Sequence, residues 1–319
     1  MEKQQQPGAA AAAFFTKQLA YHKVGREQLL AEPVRLAAGQ TELVLDWYPE
    51  RSALAPLRIE RNHVAVFAWS KLILEAGQKL IVHGPHQERS LLVIEHLHLA
   101  AGAQLQLHMP TELVVARCDS AAVAGRAGEA VAATIVVTAA SGAAGMNGPQ
   151  GGAGVPGRAP GSAGGNGAPG GGGSPGGNGS SSQTSNLHIG MMFGHYVFEI
   201  NGGDGGDGGA GGAGGNGGAG GINPATHQMG MGGGGGSGGP GGPGGNAGNG
   251  GVLRVFTEGI APGTTYELRQ PVPRGGAGGA GGRGGIPGLG HPDGSPGMPG
   301  VNGPAGSDGW PGVIEIRVI

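Results

Sequence analysis

From Asn201 to Gly251 the chain runs as two series of three-residue repeats joined by a short turn. The first reads NGG-DGG-DGG-AGG-AGG-NGG-AGG (201–221) and the second MGG-GGG-SGG-PGG-PGG-NAG-NGG (231–251). Glycine in two of every three places suits an extended left-handed helix with three residues per turn. Such a helix makes no internal hydrogen bonds, so its N–H and C=O groups need partners on a neighbour or in water. Glycine-rich composition alone would describe a flexible linker. A linker has no reason to hold one phase for seven triplets, turn at INPATHQMG (222–230), and hold it again, so the pattern favours an ordered polyglycine-II bundle.

Of 76 glycines in 319 residues, eight precede Ser141 and 68 follow it, which marks a boundary. Aromatic residues are 4%, too few for an ordinary core in the glycine-rich part. A formal charge of −2 with no basic run argues against nucleic acid and anionic membrane as partners. No apolar stretch reaches the length of a membrane span. Cys118 is single, so no disulfide staples the monomer. The N-terminal stretch lacks the apolar centre and cleavage site of a secretory signal, leaving cytoplasmic synthesis, non-classical export or incorporation into a virion or fibre.

Residues 1–28 read as a leader with a short helix from Ala9 to Ala20. Residues 29–140 read as a β domain of period-two strands. Three stretches share one form, strand, Ala-Gly corner, strand: 33–45, 71–83 and 96–108. In the third, Leu97, Leu99, Leu105 and Leu107 are expected inward, with His98, Gln104 and Gln106 outward. Repeated units of this form suggest a β-solenoid or a small sandwich.

Residues 141–312 are expected to form the bundle. Glycine recurs every third residue from 142 to 157, slips one step at Arg158-Ala159-Pro160, and continues from 161 to 179. A third block runs RGG-AGG-AGG-RGG (274–285), turns at IPGLGHPD, and resumes from 294 to 312. The expected fold class is therefore all-β plus polyglycine-II. The N-terminal solenoid or sandwich continues in strands (187–200, 252–270 and a terminal strand at 313–319) that clamp six antiparallel polyglycine-II helices in three hairpins. Double-glycine runs belong inside and single-glycine runs outside. Each seven-triplet helix would span about 65 Å at about 3.1 Å per residue. Collagen fits poorly, because the runs are short, interrupted and carry a second glycine that a triple helix does not need.

Little of the sequence points to catalysis. His96 and His98 share a strand face, and His83 and His86 flank Gly84-Pro85, but no further ligands accompany them, and a solvated face explains both pairs. Asp204 and Asp207 share one face of a three-fold helix, as a loose cation site or a solubilising stripe. No phosphate-loop spacing, triad or carboxylate dyad occurs. The reading is of a non-enzyme without cofactor or metal.

Glycine triplets bridged by short turns resemble the polyglycine-II repeat proteins, including phage distal tail-fibre adhesins and springtail antifreeze proteins. GGAGGAGGNGGAGG also resembles the PGRS repeats of mycobacterial surface proteins. The phage resemblance implies distal turns that contact a receptor, here Asn223, Thr226, His227, Gln228, Leu289, His291 and Asp293. From the residues themselves, the expectation is a structural or adhesive module. It would be a stiff glycine-rich rod on a β base that assembles with itself or a larger fibre or filament. Its assembly edge would be the strand bearing Val313, Ile314, Ile316, Val318 and Ile319, since unpaired edges recruit partners. A receptor-binding adhesin and an ice-binding protein with an alanine face (Ala210, Ala213, Ala219) are the alternatives.

Overall fold

The computed structural model describes residues 7–37, 39–60, 63–85, 88–120, 123–124 and 130–319. Met1–Gln6 of the expected leader and His86 of the second histidine pair lie outside the described residues. Helix α1 spans Pro7–Tyr21. Its alanine run suits a helix, and Ala11, Phe14, Phe15 and Leu19 are buried at helical spacing. Phe15 and Leu19 lie in one apolar cluster with Val66, Ala68, Leu91, Val93, Val114 and Ala116 of the first sheet below.

The strands begin with β1 (Val34–Arg35), β2 (Glu42–Asp46), β3 (Arg58–Ile59), β4 (Val64–Leu74) and β5 (Lys79–His83). Next come β6 (Arg89–Leu99), β7 (Gln104–Leu107), β8 (Thr111–Ser120), β9 (Val123–Ala124), β10 (Ala130–Val131) and β11 (Ala133–Val137). The last are β12 (Ser185–Phe193), β13 (His195–Ile200), β14 (Val252–Ile260), β15 (Thr265–Arg269) and β16 (Val313–Val318). One sheet has the order β1-β4-β6-β8-β12-β14-β16, with β3 also on β4; the other runs β15-β13-β11-β7-β5-β2. Within these two sheets every named pairing is parallel except β3 with β4. β9 and β10 form a small antiparallel pair.

The corners explain the parallel order. Gly77, Gly102, Gly194 and Gly263 have φ of 75°, 74°, 104° and 82°. Glycine adopts this region without steric penalty. Each corner carries the chain out of the first sheet and into the second, so β4 opposes β5 instead of pairing with it. The same holds for β6 and β7, β12 and β13, and β14 and β15. One core cluster unites the inner faces: Phe67, Leu92, Leu113, Leu187 and Val255 from the first sheet, and Leu45, Leu80, Leu105, Ile135 and Phe198 from the second. Full burial of such a side chain stabilises by about 1.5–3 kcal/mol.

The glycine-rich stretches form the long connections β11–β12, β13–β14 and β15–β16 and carry no assigned helix or strand. Their backbone groups are nonetheless paired, with a period of three. Gly142, Gly145, Gly148, Gly151, Gly154 and Gly157 donate to the carbonyls of Asp204, Asp207, Ala210, Ala213, Asn216 and Ala219 at 2.7–2.8 Å. Similar series link 203–221 to 162–180, and 230–248 to 203–221. Asparagine and aspartate side chains take donors that the triplets leave over: Asp204 Oδ1 accepts from Arg274 N, Asp207 Oδ1 from Ala277 N, and Asn216 Oδ1 from Ile286 N, at 2.7–3.0 Å.

This architecture corrects the expected fold class. In place of an all-β solenoid or sandwich clamping a polyglycine-II bundle of hairpins, the described residues form two sheets of mostly parallel strands, a small antiparallel pair and one α-helix. A solenoid needs coils of even length, and the long glycine connections interrupt any such coil. A sandwich built of hairpins would pair consecutive strands antiparallel, which the sheet-switching corners prevent. The glycine stretches are connections between strands, without a regular element of their own.

Candidate functional site

The two ends of the sheets differ. At the β1/β2 end the chain doubles back over its own edge. Ala53 N donates to Val44 O at 2.9 Å, Asp46 N donates to Ser52 Oγ at 3.1 Å, and Trp47 and Leu54 pack against the core. On the first sheet, Leu57 N and Glu60 N donate to Val66 O and Val64 O at 2.6 and 2.9 Å, and β1 takes another part of the β4 edge. This edge is covered.

At the other end β15 and β16 are the outermost strands, and among the described residues neither has a strand on its outer side. All five residues of β15 are exposed. Tyr266 and Leu268 lie in register with Tyr196 and Phe198, the inward-facing buried positions of β13. Both are 44% exposed because the core stops there. In β16, Ile314 is 8% exposed and Ile316 packs against the core, whereas Val313 and Val318, and Ile319 just after the strand, are 49%, 64% and 59% exposed. Val313, Ile314, Ile316 and Val318 therefore lie on the outermost strand of the first sheet, with Ile319 just after it, and β15, with Tyr266 and Leu268, is outermost in the second. Sequence reading missed β15 as an edge because Thr265–Arg269 alternates like any half-buried strand.

Backbone direction along β16 follows from its hydrogen bonds. Val313 N and Ile319 N donate to Gly251 O and Thr257 O of the β14 side at 2.9 Å. By strand alternation Glu315 and Arg317 face β14 in the same way, so the backbone groups of Ile314, Ile316 and Val318 point away from the sheet. Glu315 pairs with Arg317 at 2.9 Å and with Arg254 at 3.6 Å. In β15 Glu267 pairs with Arg269 at 2.8 Å.

The expected contact residues at the turns fall in two neighbouring loops. Asn223 N donates to Gln228 O at 2.8 Å, Asn223 Oδ1 accepts from Ala225 N at 3.0 Å, and His227 holds φ 53°. Thr226, His227 and Gln228 are exposed and Asn223 half-buried. In the second loop Leu289, His291 and Asp293 are exposed, and Asp293 Oδ1 accepts from Gly290 N at 2.8 Å. Bonds from His291 N to Gly230 O and from Gly232 N to Pro292 O, each 3.0 Å, set the loops side by side.

A polar groove of about 900 Å³, unforeseen in the sequence, lies at the end of α1 beside the first sheet, lined in part by His22, Glu60, Arg89, Glu112 and Asn186. His22 Nε2 and His188 Nε2 each lie 3.5 Å from Glu112 Oε1. Burial lowers the pKa of both imidazoles, with Glu60 opposing it at His22 and Glu112 opposing it at His188. These residues are far apart in sequence, and only the parallel register of β8 and β12 brings Glu112 beside His188. Among the described residues no group of three or more His, Cys, Asp or Glu is arranged to hold a metal. His96 and His98 lie beside Arg117 and Asp119 of β8. No described helix is long and apolar enough to cross a membrane.

No family model and no curated protein matches the chain. Among solved structures, a springtail antifreeze protein from Granisotoma rainieri is similar at 28% identity over 55% of this chain and 97% of its own. It is described as a bundle of nine polyproline type II helices whose crystal waters match the ice lattice. The TM-score is 0.11, too low to argue a shared fold. The wider resemblance to phage adhesins and mycobacterial repeats has no family model or sequence relative behind it. The adhesin and filament readings are corrected too: they rested on a solenoid base and a polyglycine-II rod, and the fold is two mostly parallel sheets with one covered edge.

Proposed function

We propose that this protein is a non-enzymatic structural module that associates through the edge formed by β15 and β16. The observation that carries the proposal is the asymmetry of the two sheet ends. Trp47, Leu54 and the segment around them cover one end, while Tyr266, Leu268 and Val318 leave the core open at the other. Natural sheets that remain monomeric protect their edges with charge, proline, bulges or a covering segment. An open edge with apolar residues in inward register supplies both main-chain hydrogen bonds and buried area to a partner strand.

Light scattering after size exclusion, run from low to high protein concentration, tests this reading. The intact chain is expected to self-associate, and Val318→Lys with Leu268→Lys is expected to shift it to monomer while circular dichroism stays unchanged. A chain that remains monomeric at every concentration, with no partner strand taken up, overturns the proposal.

A further inference from the structure

Resting on the assembly reading above, we infer that the partner at this edge is a second copy of the same chain. The two β16 strands pair antiparallel about Ile316, and the product is a closed dimer. The first argument is symmetry. Head-to-tail addition would put the β15/β16 edge of one copy against the β1/β2 end of the next, and that end is already covered by residues 47–60. Open-ended growth needs two different complementary surfaces, whereas one surface that matches itself closes on a two-fold axis.

Register supplies the second argument. The outward backbone groups belong to Ile314, Ile316 and Val318. An antiparallel ladder centred on Ile316 therefore makes Ile316–Ile316 and Ile314–Val318 the hydrogen-bonded pairs, about six main-chain bonds in all. The same register sets Glu315 of each copy opposite Arg317 of the other, as close non-hydrogen-bonded pairs. Shifting the centre by one residue would place like charges or backbone groups of the wrong phase against each other. Of the in-phase registers, the one centred on Ile316 sets opposite charges across the junction, whereas centres on Glu315 or Arg317 set like charges together.

The second sheet repeats the arrangement. Thr265 N donates to Gly194 O at 2.9 Å, so Tyr266 and Leu268 present their backbone outward, and Glu267 and Arg269 flank Leu268 as Glu315 and Arg317 flank Ile316. Because β15 opposes β14, the second sheet ends one strand short of β16, and a two-fold axis normal to the sheets that pairs β16 with β16 joins the first sheets alone. The first sheet then continues across the junction and sets Val318 of each copy beside Ile314 of the other.

Charge exchange tests the register. Glu315→Arg alone sets Arg opposite Arg, and Arg317→Glu alone sets Glu opposite Glu. Each single variant is expected to raise the dimer dissociation constant by about tenfold or more, measured by sedimentation equilibrium, with circular dichroism confirming the fold. Mixing the two variants restores both opposite-charge pairs, so a heterodimer is expected from two weakly associating stocks, detected by tagging one of them. A dimer indifferent to both substitutions, or a mixture that stays monomeric, overturns the register while leaving self-association standing. Multimers that keep growing with concentration overturn the closed dimer. A wild-type chain that is monomeric throughout removes the assembly reading itself.

Discussion

Substituting Gly212 by alanine tests whether the glycine connections are held by close backbone contact. Gly212 is buried, its N–H donates to Gly171 O at 2.8 Å, and its carbonyl accepts from Gly239 N at 2.8 Å. A Cβ there would sit 1.8 Å from Pro149 O and 2.5 Å from Pro149 C. The Pro149 carbonyl would have to withdraw by roughly 1.5 Å to reach ordinary contact, yet it also accepts from Gly171 N at 2.8 Å. Overpacking costs about 1–3 kcal/mol, and each strained backbone bond about 1 more. The smaller unfolded-state entropy of alanine returns about 0.4–1 kcal/mol. The net expectation is a loss of about 2–4 kcal/mol, a fall in Tm of roughly 4–8 °C at about 2 °C per kcal/mol. Gly152 is the internal control, because it is exposed, has nothing within 4 Å of its would-be Cβ, and does not hold positive φ. Gly152→Ala should leave stability unchanged or raise it by up to about 1 kcal/mol. Urea unfolding of the two variants beside wild type is the assay. A Gly212→Ala chain as stable as Gly152→Ala would refute the claim that contact at Pro149 constrains this position.

Burial lowers the pKa of His22, His108 and His188. The folded state therefore binds protons less readily than the unfolded chain, so their contribution to stability is full above the ordinary imidazole value and declines as pH falls below it. Tm is expected to drop on going from pH 7.5 to 5.5, and His188→Gln should flatten that dependence; an unchanged slope in the variant counts against the assignment. Cys118 is fully buried and desolvation pushes its thiol up to about 12, so a disulfide reagent at pH 8 should leave the native chain unlabelled and react with it fully in denaturant. Asp207→Asn keeps the acceptor for Ala277 N and should be neutral, whereas Asp207→Leu removes it at a cost of about 1 kcal/mol, read from urea midpoints.

Side-chain alternation is a local property and was legible. Leu97, Leu99, Leu105 and Leu107 read as inward-facing from a period of two, and they are buried. Glycine at the corners was visible as the punctuation between short strands, and the positive φ of Gly77 and Gly102 is what that residue permits. Period-three glycine announced close backbone approach, since it is the absence of Cβ that the approach requires. Strand partners were not legible. Nothing in the alternation of β6 says that it pairs with β4 and β8 and not with β7, because the choice depends on where each corner sends the chain. That choice made the sheets parallel and replaced the expected architecture. The same limit applies to the polar groups at the groove, where strand register brings Glu112 beside His188 and the packing of α1 on the sheet adds His22. The β16 edge is an intermediate case: Val313–Ile319 read from the sequence as an unpaired terminal strand, but its place at the uncovered end depends on strand order. Sequence by itself determined which residues face inward, where the chain turns and where backbones lie close, because these follow from local stereochemistry. Tertiary structure decided strand order, the meeting of distant polar groups and the open edge, because each depends on long-range pairing that a residue's neighbours in sequence do not encode.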